Sequence, residues 1–555
     1  MKNLLFAIFM SITLISQAQT PVAPAGTGTE NDPYQITTLN NLYWMSVTPT
    51  SWDKYFEQTD NIDATSTATW NSGAGWDPIG YVNGESDYLA FTGYYNGNNW
   101  LIGDLYINRP TELAVGFFSI IENAHISHMG IYNASTDITG GEVTGMLAGF
   151  NLSSTIIDCF GVGHIYGVSD LGGLIGRNET GTEYLYDCSF DGVVVGTGDN
   201  IGGLIGKNKG TVRNCNTFAS ITGTSNLGAL IGENNGDFAV VDSCRAGGAI
   251  YVLGNEPTVN AGGLIGENKE NAVVSYCFSH TQIQGTENSE NLGGLVGLND
   301  NGSIIKYCFS TYFVSGGGSL GGLVGSNSYS TISNCYSRSN VTGTQNNVGG
   351  VVGRNTGTVE KSYGTGVVTS SGGCFGGVAG SNEDGGEVFA CFWDTQTSGV
   401  AEGCGYNGGG MLDIVGKTTV EMKTQTTFTN AGWDFYGESA NGTEDNWFIT
   451  QYTNDSYPCF KWYTDFVGIR ETSNDKNTFS VFPNPASDII FVTVFSGETE
   501  ITKLSIYTIT GSLLYSAPHY QSNEPIDISN LKTGSYFIEL KSAESKSTIK
   551  LIVNR

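Results

Sequence analysis

Along the middle of the chain, apolar and polar positions follow an eight-residue pattern of apolar, Gly, Gly, apolar, apolar, Gly, polar, Asn. It reads LGGLIGRN at Leu171 to Asn178. The pattern recurs as IGGLIGKN (Ile201 to Asn208), LGALIGEN (Leu227 to Asn234), AGGLIGEN (Ala261 to Asn268), LGGLVGLN (Leu292 to Asn299), LGGLVGSN (Leu320 to Asn327) and VGGVVGRN (Val348 to Asn355). Looser copies, TGMLAGFN ending at Asn151 and FGGVAGSN ending at Asn382, open and close the series. A mean spacing of about 29 residues over nine copies marks a solenoid or repeat array. The structural residues of the block are its glycines and its final Asn: Gly172, Gly173, Gly176 and Asn178; Gly202, Gly203, Gly206 and Asn208; Gly293, Gly294, Gly297 and Asn299; Gly321, Gly322, Gly325 and Asn327.

Each repeat holds three strand-sized apolar segments, for example LGGLIG, TVRNCNTF and ASITG. Strands this short cannot bury a face alone, but coils stacked about 4.8 Å apart can bond backbone to backbone into continuous parallel sheets. Crossovers between parallel strands are right-handed, so the pattern predicts an all-β chain built as a right-handed parallel β-helix. Glycine supplies positive φ at corners and room for close backbone approach. The block-final Asn is expected to take a left-handed corner conformation and to build a hydrogen-bonded ladder from coil to coil. The pattern leaves open whether the Leu174 row or the Ile175 row faces inward.

The flanks divide by texture. Behind a Thr37 or Thr38 cap, Leu39, Leu42, Tyr43 and Val47 have near-helical spacing, which predicts a short amphipathic helix covering the first coil. Residues 19–54 form this lead-in and cap, 55–143 irregular early coils, and 144–393 the regular array. Residues 394–466 include an aromatic-rich stretch from Trp433 to Tyr463. Exposed, it would be a sugar-stacking platform; the simpler expectation is a cap over the last coil, because open solenoid ends need an apolar cover. A polar linker, 467–478, leads to alternating strands in 479–555 that read as a small Ig-like β-sandwich.

Eight of the eleven cysteines follow a repeat's Asn by seven to ten residues: Cys159, Cys188, Cys215, Cys244, Cys277, Cys308, Cys335 and Cys391. Ser362 takes the place in the remaining repeat, so the position asks for a small side chain more than for sulfur. The expectation is a row of buried thiols, since a metal row lacks His or CxxC partners and in-register side chains are poorly aimed for disulfide torsion. Any disulfide should draw on Cys374, Cys404 and Cys459.

The formal charge is -29, and only 14% of residues are charged. That excludes nucleic acid as a natural partner, because phosphate binding needs a cationic stripe. The start, with Lys2, an apolar run from Leu4 to Ile15 and small residues at Ser16 and Ala18, predicts a secretory signal peptide over residues 1–18. The apolar run is too short to span a bilayer, and no later stretch is long enough.

Catalytic chemistry is sparse. His125 and His128 have metal-compatible spacing, but residues three apart on a strand face opposite sides. HExxH is absent, and the string GGSLG (Gly317 to Gly321) falls within the strand repeats, so it makes no GxSxG elbow. Acids near the blocks, Glu179, Glu233, Glu267, Asp300 and Glu383, fall at uneven offsets and are expected as solvated corner residues. No cofactor is implied beyond calcium at the acidic loop Asn83 to Tyr88.

The LGGLIG blocks with their follow-on, as in GGLVGSNSYSTISNCYSRSNVTG (Gly321 to Gly343), resemble the GLUG repeat family of bacterial surface proteins. That resemblance implies a secreted or surface β-solenoid, often adhesive, with no catalytic residues to transfer. VFPNPASD (Val481 to Asp488), IYTITGSLLY and ISNLKTGSYFIELKS resemble the type A sorting domain of the type IX secretion system. Pro483, Asn484, Pro485, Gly511, Leu531, Gly534 and Tyr536 match its pattern; Thr508 and Ser512 depart from it. This implies the type IX machinery as partner through 479–555, a Gram-negative host, and Sec-dependent export to the periplasm followed by display on the outer surface or release. The sequence therefore predicts a non-enzymatic adhesin or structural binding protein for surface glycans or for proteins of a host or neighbouring cell. A secreted polysaccharide lyase or glycoside hydrolase is the alternative.

Overall fold

Most regular coils contain four strands, the fourth being split in two in the coils opening at Gly318 and Val348. In the coil opening at Asp199 they are Asp199–Gly202, Ile205–Asn208, Thr211–Arg213 and Asn216–Gly223, here strands I to IV. The computed structural model describes residues 19–463 except 85–86, 180–183, 255–257 and 451–452. It also describes 479–553 outside 483–488, 495–500, 509–511, 519, 521–524, 533 and 543–545. The expected signal peptide and linker lie outside the described residues.

The division into four strands differs from the three apolar segments because bends, and not apolar clusters, separate the strands. IGGLIG (Ile201 to Gly206) breaks at Gly203 and Leu204 into strands I and II, while Asn214, at a φ of 52°, ends strand III and the chain runs on through TF and ASITG as one long strand IV. Each strand pairs in parallel with its counterpart one coil on, as in Ile201 with Leu227, Ile205 with Ile231, Val212 with Val241 and Ile221 with Ile250. Strands II make an 11-stranded sheet and strands I a 10-stranded one, and strands III and IV join a 28-stranded set. This is the parallel β-solenoid the repeat spacing predicts. Its register reaches beyond the nine blocks, from Ala114–Val115 and Phe118–Glu122 to a last strand II at Cys404–Asn407.

Both rows left open by the pattern face the core, with Leu174 1% and Ile175 0% exposed. The bend between strands I and II turns the chain between these two neighbours, so consecutive side chains can both point inward. A fully buried Leu or Ile contributes roughly 1.5–3 kcal/mol, and the rows become a core only because coil after coil repeats them.

The block-final Asn is not a left-handed corner. Asn178 and Asn208 end strands II in buried positions. Positive φ falls instead on the residue before the block, such as Asp170, Asn200, Asn226 and Asn260, and on the residue before the ladder cysteine, such as Asp187 and Asn214. The reason is that the amide side chain is needed in the interior: Asn178 Nδ2 donates to Asn208 Oδ1 at 2.7 Å, Asn208 to Asn234 at 2.7 Å, and Asn234 to Asn268 at 2.8 Å. The same bond continues through Asn299, Asn327, Asn355 and Asn382 to Asn407.

At the N-terminal end, helix α1 (Leu39–Ser46) starts at Thr38, which forms a reciprocal capping box with Asn41. Leu42 and Met45 are buried, and Met45's carbonyl accepts the Trp52 indole N–H at 2.8 Å. Val47, expected on the apolar face, instead ends the helix and is exposed. At the other end, Trp393 fills the lumen, its ring against Gly377, Gly403 and Gly416. Phe428 and Trp433 pack on Phe392 and Tyr363, whose rings belong to an outward-facing stack on strand IV that includes Phe309 and Tyr336. The aromatic tail thus contributes to a side wall, while Trp393 plugs the end.

The contacts divide the chain into two units, with 434–555 in the second. In that unit, Phe435, Trp447 and Phe460 are buried among themselves and do not form an open platform. Its last part is two antiparallel sheets of three and four strands sharing one core, including Ile490, Leu504, Ile526, Ile538 and Leu551, which is the predicted sandwich.

Candidate functional site

The glycine block creates a surface feature that the repeat alone would not suggest. Gly202 and Gly206 alternate with inward-facing neighbours, so both point outward, yet a Cβ on Gly202 would lie 1.9 Å from Ile205 O and one on Gly206 2.6 Å from Leu171 N. Outward positions can touch backbone only if the outer faces of strands I and II are folded toward each other. The block is therefore a tight elbow, and its open side is a groove running from coil to coil.

The strand I wall carries a second amide ladder. Asn200 donates to Asp170 Oδ1 at 2.7 Å, Asn226 to Asn200 at 2.8 Å, Asn260 to Asn226 at 3.0 Å and Asn291 to Asn260 at 2.9 Å. The strand II wall carries charge in register: Arg177, Lys207, Glu233, Glu267, Leu298, Ser326 and Arg354 follow one another. Arg177 crosses the groove to Asp170. Lys207 and Lys269 hold Glu233 at 2.9 and 3.1 Å, Lys269 also meets Glu267 at 2.8 Å, and Lys209 meets Glu179 at 2.6 Å. Burial pushes the Glu233 carboxyl up, but hydrogen bonds from Asn235 and Lys207 and the charges of Lys207 and Lys269 outweigh it and hold the group below the usual carboxylate range.

Of the five acids, Glu179 and Glu383 follow strand II at a corner, but the other three do not. Glu233, Glu267 and Asp300 sit within strands II, and Glu233 is buried; neighbouring rungs supply the counter-charges that make this tolerable. Along most of its length the groove is closed by these long side chains. It opens at the coil 318–328 into a notch of about 730 Å³ lined by Glu290, Asn291, Leu298, Asp300, Ser319, Ser326, Ser328, Asn347 and Arg354. Of these only Asp300 was singled out from the sequence. The missed signal is the coincidence of three small residues, Ser319, Ser326 and Ser328, around one block, visible once the blocks are aligned by position.

The cysteines occupy another side of the coil. All eleven are free, and the eight of the repeat row are buried. Each thiol accepts from the backbone of the preceding rung, Cys188 N to Cys215 Sγ at 3.4 Å and Cys215 N to Cys244 Sγ at 3.4 Å, and donates to the carbonyl two residues back, Cys215 Sγ to Arg213 O at 3.2 Å. Ser362 does both with its hydroxyl, at 3.1 Å from Cys335 N and 2.8 Å to Glu360 O. The position is a corner hydrogen-bond relay, which explains why Ser can stand in. Burial pushes the Cys391 thiol up to about 12. A thiol reagent added to the native protein is expected to leave the eight row thiols unmodified, reacting with them only after denaturation; Cys215→Ser is expected to change stability by less than about 1 kcal/mol in thermal unfolding.

His125 lies against Tyr94 with ring centroids 5.8 Å apart and the planes tilted by 32°, and burial lowers its pKa. His128 takes a φ of 51°, so a corner, and not strand pleat alone, sets its direction. In the acidic loop, Asn83 donates to Asp87 at 3.3 Å, and Glu85 and Ser86 lie outside the described residues. Among the described residues, no three His, Cys, Asp or Glu side chains gather as a metal would need. Of the sorting-motif residues, Pro483, Asn484, Pro485 and Gly511 lie outside the described residues; Leu531 packs on the sandwich core and Tyr536 Oη donates to Lys532 O at 2.6 Å. Ser512 N donates to the Thr508 hydroxyl at 3.0 Å, so the two departures from the family pattern serve each other.

Two families match parts of the chain: "The GLUG motif" over residues 316–342, which includes Ser319, Ser326 and Ser328 of the notch, and "Secretion system C-terminal sorting domain" over 480–554. The sorting-domain match implies the type IX machinery as partner and export to the outer surface or extracellular space. Halomucin of Haloquadratum walsbyi is 34% identical over 157 residues, 28% of this chain and 2% of its own length. A protein of Evansella cellulosilytica provisionally named a Gly-rich membrane protein is 29% identical over 151 residues, 27% of this chain and 17% of its own. The chain thus spans a small part of each relative. Among solved structures, a Bacteroides ovatus chain provisionally described as an immunoglobulin A1 protease aligns over 79% of this chain and 94% of that one, at 16% identity and a TM-score of 0.28. Among the described residues, no helix is long and apolar enough to cross a membrane.

Proposed function

We propose that this protein is a non-enzymatic binding solenoid, an adhesin-like rod displayed on or released from the outer surface, which holds a glycan or a protein of another surface in its groove. The reading rests on how the groove treats its acids: Glu179, Glu233, Glu267 and Glu383 are neutralised by Lys or Arg. A general acid needs a carboxyl raised toward neutral pH, whereas the pairing at Glu233 works in the opposite direction. The sorting tail supports the location.

The full-length protein should be retained on members of a glycan array or on intact cells, and should release no reducing ends from a panel of polysaccharides. Steady release from any polymer would overturn the binding-only reading in favour of a lyase or hydrolase. The observation on that side is that Glu290 and Asp300 line the same notch with no ion pair among the described residues.

A further inference from the structure

We propose that the notch at Ser319, Ser326 and Ser328 is a binding site for the end of a neutral saccharide chain. This rests on the binding-solenoid reading above and names the ligand class. Three observations meet there.

The first is that the notch is one coil deep and made by substitution in register. Ser326 stands in the row of Arg177, Lys207, Glu233 and Arg354, and Ser328 follows Asp300 and Lys269 in the next outward row. On the facing wall, Gly318 is paired with Glu290, and Ser319 holds the place before the block that Asn226, Asn260, Asn291 and Asn347 hold elsewhere. Small side chains on both walls of one coil leave the cavity; Glu290 and Asp300 border it on one side and Asn347 and Arg354 on the other.

The second is an interrupted ladder. Asn291 donates its amide to Asn260, as each rung before it does, but Ser319 returns no hydrogen bond to Asn291 Oδ1. Among the described residues, the hydroxyls of Ser319 and Ser326 have no protein partner, although these residues are only 6% and 5% exposed. Unlike the sealed Ser381 hydroxyl, theirs reach the open space of the notch, where a ligand group can replace water as their partner.

The third is charge. Arg354 is committed to Glu383 at 3.0 Å and Asp384 at 3.7 Å, whereas Glu290 and Asp300 have no ion pair among the described residues. An anionic sugar would meet these two carboxylates without a free cation. A neutral pyranose brings hydroxyls that both donate and accept, matching two serine hydroxyls, the open Asn291 oxygen and the carboxylates, and its apolar edge can lie on Leu298.

The test is isothermal titration of the full-length protein with neutral trisaccharides of glucose, mannose and galactose and with trigalacturonate. At least one neutral sugar should bind and trigalacturonate should not. Ser326→Arg should weaken that binding by about tenfold or more with an unchanged Tm, because the same register position carries Arg at Arg177 and Arg354. Ser319→Asn, which restores the residue usual in its row, should also weaken binding and serves if Ser326→Arg misfolds. Thr211→Arg, on strand III, should have no effect. Neutral-sugar binding that survives both notch variants overturns the site while leaving the binding reading intact. Preference for trigalacturonate, or no binding of any of the four sugars, overturns the ligand class. Failure of the broader reading is separate, since it shows as reducing-end release.

Discussion

Gly202→Val is expected to destabilise its coil by about 3–5 kcal/mol, or to unfold it locally, which places it among the most damaging single changes in the rod. A Cβ there would sit 1.9 Å from Ile205 O and 2.8 Å from Gly232 N, both backbone atoms that cannot swing aside. Backbone strain plays no part, since Gly202 is not among the positive-φ glycines. The effect is steric and spreads, because Gly232 belongs to the elbow of the next coil. Internal comparison of the blocks agrees: the second and sixth positions are glycine in all nine copies, down to Gly145 and Gly149 of the loosest one, while the third is Ala229 in one and Met146 in another. Repeat arrays can lose all-or-none unfolding, so the readout is hydrogen exchange of residues 199–235 together with the melting curve. Gly84→Ala, at a position with nothing within 4 Å, should stay within about 0.5 kcal/mol of the parent. Equal protection of residues 199–235 in Gly202→Val and the parent would show that the elbow is looser than the geometry requires.

Asn268→Asp tests the interior ladder and should be pH-dependent. Asn268 Oδ1 accepts from Asn234 at 2.8 Å, and its Nδ2 donates to Asn299 Oδ1 at 2.8 Å and to Ala272 O at 3.3 Å, with no exposure to water. An aspartate keeps the first bond but turns an oxygen toward two acceptors. The folded state therefore favours the protonated acid, and its carboxyl pKa rises above the unfolded value of about 3.9. Stability is then greatest below the unfolded pKa and is lost as pH rises through the folded pKa. At pH 7 the variant should fall about 3 kcal/mol or more below the parent, and the gap should narrow on acidification toward pH 4. Asn268→Leu removes all three bonds without introducing a titratable group; its loss of about 2–4 kcal/mol should be independent of pH. Urea unfolding of both variants at pH 4 and pH 7 separates the cases. A pH-independent Asn268→Asp would show that water or a neighbouring donor reaches the side chain.

Much of the fold is legible in the sequence because a solenoid makes register local. Residues that meet across coils, such as Asn208 and Asn234, lie one repeat apart and carry the same letter, so the repeat spacing alone is enough to predict the ladder. The cysteine row is legible for the same reason, with Ser362 marking it as a small hydrogen-bonding position. Conformation within the repeat is where the pattern misleads. An Asn can stabilise a left-handed corner or a buried ladder, and its letter does not choose; the corners fall at Asn200 and Asn214. Apolar clustering likewise suggests three segments where bends make four.

The sequence by itself determined the coil length, the parallel stacking, the composition of the block-final Asn ladder and of the cysteine row, the sandwich at the C-terminal end and the sorting signature, because each depends on spacing or on short patterns. Only the tertiary structure decided that Gly202 and Gly206 each lie hard against backbone in an elbow, that Glu233 is buried between Lys207 and Lys269, and that Ser319 and Ser326 open one notch. Those facts require knowing which outward positions on different strands point at one another. That is fixed by the direction of a backbone bend, a property of three-dimensional packing that a list of alternating apolar and polar residues does not carry.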